Sequence, residues 1–251
     1  MTGVLFELRL AVGFLTRFPV GRLTAATPAQ LGRCMAFFPL VGLLLGGLLF
    51  AGNAVLTPLL PRAVVDALLL VVLVLASGAL HLDGFADLCD GVGGGRSRED
   101  ALRIMKDSCI GVFGATGLIL LLLVKYLALV SLPVAVKPAA LLLAPVAGRW
   151  APVLLTMLLP YLRGPEGTGA AFAAHAGWRQ LLPASITLVA VSVGLFRLEG
   201  LLLVGILVLA GFGFAGWAKR KLGGATGDVL GAAVELLELL ALLLALALIK
   251  G

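Results

Sequence analysis

Apolar residues run along this chain in stretches of about 20, the length that crosses a hydrocarbon core of about 30 Å, and the polar residues gather in the short gaps between them. The stretches lie near Phe37–Leu56, Val64–Leu82, Val112–Leu132, Ala139–Leu159, Leu181–Phe196, Gly200–Trp217 and Val229–Ile249. Pro58 and Pro61, Pro133 and Pro138, and Pro160 and Pro165 punctuate the turns. The pattern predicts about seven transmembrane helices, of which the fifth is short. Ahead of them, Met1–Val20 is apolar but interrupted by Glu7, Arg9 and Arg17. That interruption fits an N-terminal amphipathic helix, interfacial or half-inserted, better than a cleaved signal peptide.

Composition agrees with the pattern. The 251 residues are 61% hydrophobic and 13% charged, against roughly 45 to 50% and about 25% for a soluble domain. The expected fold class is all-α: a polytopic helical membrane protein forming a single integral membrane domain over residues 1–251, with its chemistry at helix ends and in short loops.

Charge then sets an orientation, because cations in short loops stay on the cytoplasmic side. One side carries Arg9, Arg17, Arg22, Arg33, Arg96, Arg98, Arg103, Lys106, Arg163, Arg179, Lys219, Arg220 and Lys221. The other carries Arg62, Lys137, Arg197 and Lys250, while Lys125 and Arg149 fall inside spans. The expected location is the cytoplasmic (inner) membrane with the loops bearing the acids facing the cytosol. The net charge of +6 follows from this topology, and no nucleic-acid motif accompanies it. The three cysteines, Cys34, Cys89 and Cys109, form no CxxC pair, so reduced thiols are expected.

The acids are few and grouped. Asp83, Asp87 and Asp90, at i, i+4 and i+7 in HLDGFADLCDG, fall on a helical stripe about 60° wide. Three anions on one face repel and need cations to hold them. Oxygen ligands without His or Cys partners suit Mg²⁺ or Mn²⁺ better than zinc; His81 is read as an orienting or structural residue. A solvated helix end paired with Arg96, Arg98 and Arg103 is the plainer alternative.

After a glycine-rich turn, Ser97 and Asp100 have capping-box spacing and open a short cytosolic helix that presents Arg103, Lys106 and Asp107 towards the acid stripe. Near the C-terminus the basic cluster Lys219-Arg220-Lys221 leads to Asp228, then to Glu235 and Glu238 inside the last span. Carboxylates at such depth face a bundle interior. Lys125 and Arg149 are their candidate partners, and a structural ion-pair network stands beside substrate contact as the reading of these four residues. Two acid clusters holding divalent metal, bordered by Lys and Arg at the mouth of an apolar bundle, would bind a pyrophosphate with a bulky partner and transfer a phosphoryl group. Trp150, Trp178 and Trp217 fit either stacking on a large ring or marking interfaces.

The strings HLDGFADLCDG (81–91), IMKDSCIGVFG (104–114) and KRKLGGATGDVLGAAVELLELL (219–240) closely resemble the cobalamin synthase family, as do FLTRFPV (14–20) and FFPLVGLLLG (37–46). The resemblance covers most of the chain. It implies a Mg²⁺-dependent integral membrane transferase of cobalamin biosynthesis. Such an enzyme joins adenosylcobinamide-GDP to α-ribazole or its 5′-phosphate and releases GMP, by attack of the ribazole 3′-hydroxyl on the cobinamide-linked phosphorus. Carried over by position, the family's acidic motif falls on Asp83, Asp87 and Asp90, its KDS segment on Lys106, Asp107 and Ser108, and its TGD segment on Thr226, Gly227 and Asp228. Leu88 and Cys109 depart from it, standing where a small or hydroxyl residue and an arginine are frequent.

The expected assignments follow. Catalytic candidates are Asp83, Asp87, Asp90, Asp107 and Asp228, of which Asp83, Asp87, Asp90 and Asp228 also bind metal. Substrate contacts are expected from Arg103, Lys106, Ser108, Lys219, Lys221, Thr226, Glu235 and Glu238. The expected partners are the two substrates and the lipid bilayer, with a homo-oligomer left open. The alternatives are a CDP-alcohol-type phosphotransferase, whose DGxxAR start is replaced here by Asp83-Gly84-Phe85-Ala86-Asp87, and a cation transporter, against which no internal repeat of the aspartate string appears.

Overall fold

A computed structural model of the chain describes residues 3–21, 26–164 and 168–248. Met1, Arg22, Pro165, Ile249 and Lys250, which enter the sequence reading above, lie outside the described residues. The elements are α1 (Gly3–Leu15), then α2 (Pro28–Cys34), which passes through a single 3₁₀ turn, Met35–Phe37, into α3 (Phe38–Leu56). There follow α4 (Arg62–Ser77), α5 (Leu80–Gly94), α6 (Arg98–Ile104), α7 (Val112–Ser131), α8 (Lys137–Leu158) and α9 (Thr168–His175). The last three are α10 (Trp178–Phe196), α11 (Leu198–Lys221) and α12 (Gly227–Ala247). Among the described residues 6 candidate spans are long and apolar enough to cross a membrane, and up to 7 if the bent pair α4 and α5 counts as one. The all-α polytopic expectation holds, and the fifth apolar stretch, α10, is a full-length helix of 19 residues.

The second span departs from expectation. Instead of one helix over Val64–Leu82, α4 stops at Ser77 and α5 leaves it at 93°. The cause is local: Gly78 (φ 64°) and Ala79 (φ 58°) are both left-handed. The Ala79 amide donates to the Val74 carbonyl at 3.0 Å and the Gly78 amide to Leu75 at 3.2 Å, the two bonds of a Schellman end. Glycine adopts this conformation freely, whereas Ala79 is held there against its preference. The Arg17 amide takes up the Ala76 carbonyl at 2.8 Å, so the break is stitched to the segment after α1.

The first span is longer than expected, because Thr27 caps α2 with a complete capping box to Gln30. The N-terminal helix α1 does not simply rest on the surface: Glu7 is buried and accepts from Arg33 Nε at 2.6 Å. Helix α9 was not expected.

The core is built on α8, in which every residue from Leu143 to Thr156 is buried. Lipid tails give no hydrophobic incentive for helices to associate, so close backbone packing through small residues must do it. Gly42 and Gly46 of α3, spaced i, i+4, meet α8: a Cβ on Gly46 would come within 2.8 Å of Leu142 Cα. At the end of the bundle away from the acids, Lys137 Nζ bonds both oxygens of Asp66 at 2.7 Å and Arg62 Nη2 donates to the Leu132 carbonyl at 2.8 Å. Arg62 and Lys137 therefore share one end, as the charge sorting requires.

Candidate active site

The site begins where α5 meets the first turn of α12. Gly84 lets the two backbones touch, since a Cβ there would lie 2.9 Å from Asp228 Cα and 3.1 Å from its carbonyl oxygen. Thr226 caps α12: its buried Oγ1 accepts from the Val229 amide at 3.3 Å and donates to Asp228 Oδ2 at 3.2 Å. Arg163, in the turn after α8, donates to Asp228 Oδ2 at 2.5 Å and to the Met105 carbonyl at the end of α6 at 3.1 Å. The same turn is strapped to the α11–α12 connection by two backbone bonds of 2.9 Å, Leu162 N to Ala225 O and Ala225 N to Pro160 O. Burial raises the Tyr161 phenol above its ordinary pKa, with Asp228 adding to the effect against Arg163, so this ring keeps its O–H.

Asp83 and Asp228 line one cavity of about 240 Å³, together with His81, Tyr161 and a wall of apolar side chains. Asp87 is half-buried and lies within electrostatic reach of Asp228, Asp83, Arg163 and Asp90. Asp83 and Asp87 are thus brought together with Asp228.

Asp90 departs from the stripe. Its Oδ2 accepts from the Gly111 amide at 2.7 Å and its Oδ1 from the Gly114 amide at 2.8 Å. Because α5 lies in the seam between α12 and α7, a stripe about 60° wide straddles both neighbours. The last acid turns to the N-terminus of α7, where two orphan amides and the positive end of the helix dipole hold it. Asp90, expected to ligate metal, thus has each of its oxygens engaged by an amide of this segment.

The two glutamates, expected to contact substrate, stand in ion pairs. Lys125 Nζ lies 2.5 Å from Glu235 Oε2 and 2.6 Å from Glu238 Oε2, and Arg149 pairs with Glu238. All four side chains are buried. Of the two readings left open by the sequence, the structure shows the ion-pair network, and Glu235 and Glu238 do not line the cavity described above. Thr226, expected to contact substrate, is fully buried as the α12 cap.

The remaining basic and loop candidates do not line the cavity. Arg103, Lys106, Asp107, Ser108, Lys219 and Lys221 are exposed. Ser97 caps α6 by accepting from the Asp100 amide, as the spacing predicts, but the reciprocal carboxylate bond reaches the Arg96 amide at 3.2 Å. The bond to Arg103, and then the Arg96 amide, hold the exposed Asp100 carboxyl below its usual range. Asp107 Oδ1 accepts from the Cys109 amide at 3.1 Å, which shapes the loop. Trp150 is core, donating to Ser185 Oγ at 3.0 Å, and Trp217 stacks on Phe214. Only Trp178 presents its ring to the outside, beside Arg179.

Among the described residues no three Asp, Glu, His or Cys side chains stand together as a ready metal cage. Mg²⁺, however, is usually bound by one or two carboxylates, with substrate phosphate and water completing the octahedron. Asp83 and Asp228, two oxygen donors on one cavity, fit that mode, with Asp87 within electrostatic reach of both.

Sequence reasoning missed Arg163, which it counted only as a topological cation, and the aromatic residues of the cavity wall. Neither has a spacing signal, because turns far apart in sequence bring them in.

The profile of the cobalamin-5-phosphate synthase family matches residues 7–247. The chain is similar to the adenosylcobinamide-GDP ribazoletransferase of Acetivibrio thermocellus, 38% identical over 230 residues covering 92% of this chain and 93% of that protein. It is 41% identical to the protein of the same name from Geotalea daltonii over 234 residues, covering 93% and 94%. With that of Pseudomonas paraeruginosa it is 44% identical over 260 aligned residues, covering 99% and 100%. No solved structure matches the chain. A match over nearly the whole chain means that this protein belongs to the cobalamin-5-phosphate synthase family.

Proposed function

We propose that the protein joins adenosylcobinamide-GDP to α-ribazole, or to its 5′-phosphate, and releases GMP. The observation that carries the reading is the meeting of Asp83 and Asp228, from two different helices, on one cavity, with Arg163 bonded to Asp228. Acids and a cation at the mouth of an apolar bundle suit a diphosphate whose two ends are bulky.

In this reading the ribazole 3′-hydroxyl oxygen forms a bond to the cobinamide-linked phosphorus. The bond from that phosphorus to the bridging oxygen breaks, GMP leaves with the electron pair, and the hydroxyl proton passes to a carboxylate of the rim. Asp83 is exposed, and no other described side chain donates it a hydrogen bond, so it is free to accept that proton or to meet a cation. Arg163 and Thr226 hold Asp228 in place. Asp90 holds one end of the loop 105–111, which carries Lys106 and Ser108, and Arg163 holds the other at Met105. Mg²⁺ held by Asp83 and Asp228, with the Asp87 charge beside them, would neutralise phosphate oxygens and the charge that develops on the leaving group. The site faces the cytosol of a cytoplasmic membrane in this proposal, supported by the cation-rich loops at the same end: Arg96, Arg98, Arg163, Lys219, Arg220 and Lys221.

The test is turnover. Purified protein in detergent or liposomes, given adenosylcobinamide-GDP, α-ribazole and Mg²⁺, is expected to release GMP and form adenosylcobalamin in equal amounts. Absence of both products from folded protein, or cation flux through the liposomes without them, overturns the reading.

A further inference from the structure

The cavity behind the acids is not uniform. Asp83 and Asp228 line it with carboxylates, and Phe14, Phe38 and Phe172 line it with aromatic rings. Phe172 meets Phe14 edge-on at 4.8 Å and Phe38 edge-on at 5.7 Å, and Phe14 and Phe38 stack at 6.0 Å. Three elements that the phosphate chemistry does not use, α1, α3 and α9, converge to make this cluster. His81 lines the same cavity, is 5% exposed, and its Nδ1 has no partner among the described residues.

We infer that this aromatic cluster seats the flat base of the incoming ribazole, with its sugar hydroxyls pointing to Asp83 and Asp228; the inference rests on the function proposed above. Size and polarity choose the occupant. A cavity of about 240 Å³ lies below the range of about 300 to 1,000 Å³ typical of drug-sized ligands, so it takes a bicyclic base and excludes a corrin macrocycle. Guanine is also flat, but its edge carries several donors and acceptors that an apolar wall would leave unpaired. The ribazole base has a hydrocarbon edge and one free ring nitrogen. Ring faces and edges suit the former, and the single imidazole of His81 suits the latter.

The experiment is a KM split on the full-length protein. Phe172→Ala and Phe38→Ala are expected to raise the KM for α-ribazole about tenfold while the KM for adenosylcobinamide-GDP stays within about twofold. Equilibrium dialysis of α-ribazole alone against the same proteins is expected to show the same loss of binding. Phe172→Leu and Phe38→Leu, which keep the apolar bulk, carry the test if the alanine variants do not fold, with about a threefold rise expected. An unchanged ribazole KM in folded variants, or a rise confined to adenosylcobinamide-GDP, overturns the inference and in the second case gives the cavity to guanine. Loss of turnover by the unaltered protein would instead sink the proposed function.

Discussion

Arg163 Nη2 lies 2.5 Å from Asp228 Oδ2, and the same nitrogen reaches the Met105 carbonyl at 3.1 Å. One guanidinium thus ties the turn after α8 to the start of α12 and to the end of α6. Charge-assisted bonds of this kind are worth about 1.5 to 3 kcal/mol. Arg163→Ala is therefore expected to lower kcat/KM about 10- to 100-fold while the protein still inserts and folds. Arg163→Lys keeps the charge but places a compact ammonium on a shorter, more flexible stem, so it should recover only part of the activity. Wild-type kinetics in Arg163→Ala would show the pair to be incidental.

Removing metal tests the acids together. Chelation by excess EDTA is expected to stop GMP release, and added Mg²⁺ to restore it. Asp83→Asn and Asp87→Asn, which keep shape and drop charge, should each abolish turnover without changing the helical content of the purified protein. Full activity in either variant, or in EDTA, contradicts the assignment.

Asp90 should behave differently from its neighbours on α5. Its oxygens satisfy the Gly111 and Gly114 amides, and leaving two partly buried donors unpaired costs about 1 to 3 kcal/mol each. Asp90→Ala is expected to lower the thermal midpoint measurably and to loosen the loop 105–111, seen as faster proteolysis there. A variant that loses activity with its midpoint unchanged would return Asp90 to the chemistry.

These contrasts show how much the sequence disclosed. The spans, the short helix α6 and the shared face of Asp83 and Asp87 follow from periodicity and capping, because depth and helix face are local properties. The different fate of Asp90 is not local: it depends on which neighbour packs on each edge of the stripe. The break at Gly78 had a signal, glycine near the end of an apolar run, but the run looked continuous across it because its neighbours stay apolar. Asp66 sits two residues into the expected second span and escaped notice. Its partner Lys137 was counted as a loop cation, yet that ion pair is buried. Phe14 and Phe38 belong to the strings FLTRFPV and FFPLVGLLLG, which carried the resemblance without any chemical reading; only the fold sets them on the cavity wall.

The Lys125 network should contribute to folding and not to substrate binding. Removing one partner of a buried ion pair is destabilising by about 3 to 5 kcal/mol, whereas replacing the whole pair with apolar residues is often neutral. Lys125→Met is expected to reduce the yield of folded protein and its denaturation temperature. The combined change Lys125→Met and Glu235→Leu, which leaves Arg149 paired with Glu238, should recover stability relative to the single variant, a coupling that a mutant cycle measures. Substrate KM values in whatever folded fraction remains should be close to wild type. A selective rise in KM would mean that the network reaches the substrate after all.

Gly84 offers the sharpest separation of geometry from stability. A methyl group at this position would stand 2.9 Å from Asp228 Cα, closer than any ordinary carbon contact, so α12 must move away from α5 to admit it. Overpacking of this sort costs about 1 to 3 kcal/mol, which a bundle of this size can absorb. The site cannot absorb the displacement so easily, because Asp228 sits on the helix that moves while Asp83 stays on α5, and misplacement by about 1 Å can cost about 10²-fold in rate. Gly84→Ala is thus expected to leave a folded protein with kcat reduced far more than its stability. Gly94→Ala on the same helix is the control: its methyl would meet only Ile104 Cδ1 at 3.5 Å, an ordinary contact, and activity should persist. Equal activity in the two variants would mean that the spacing between Asp83 and Asp228 does not govern the reaction.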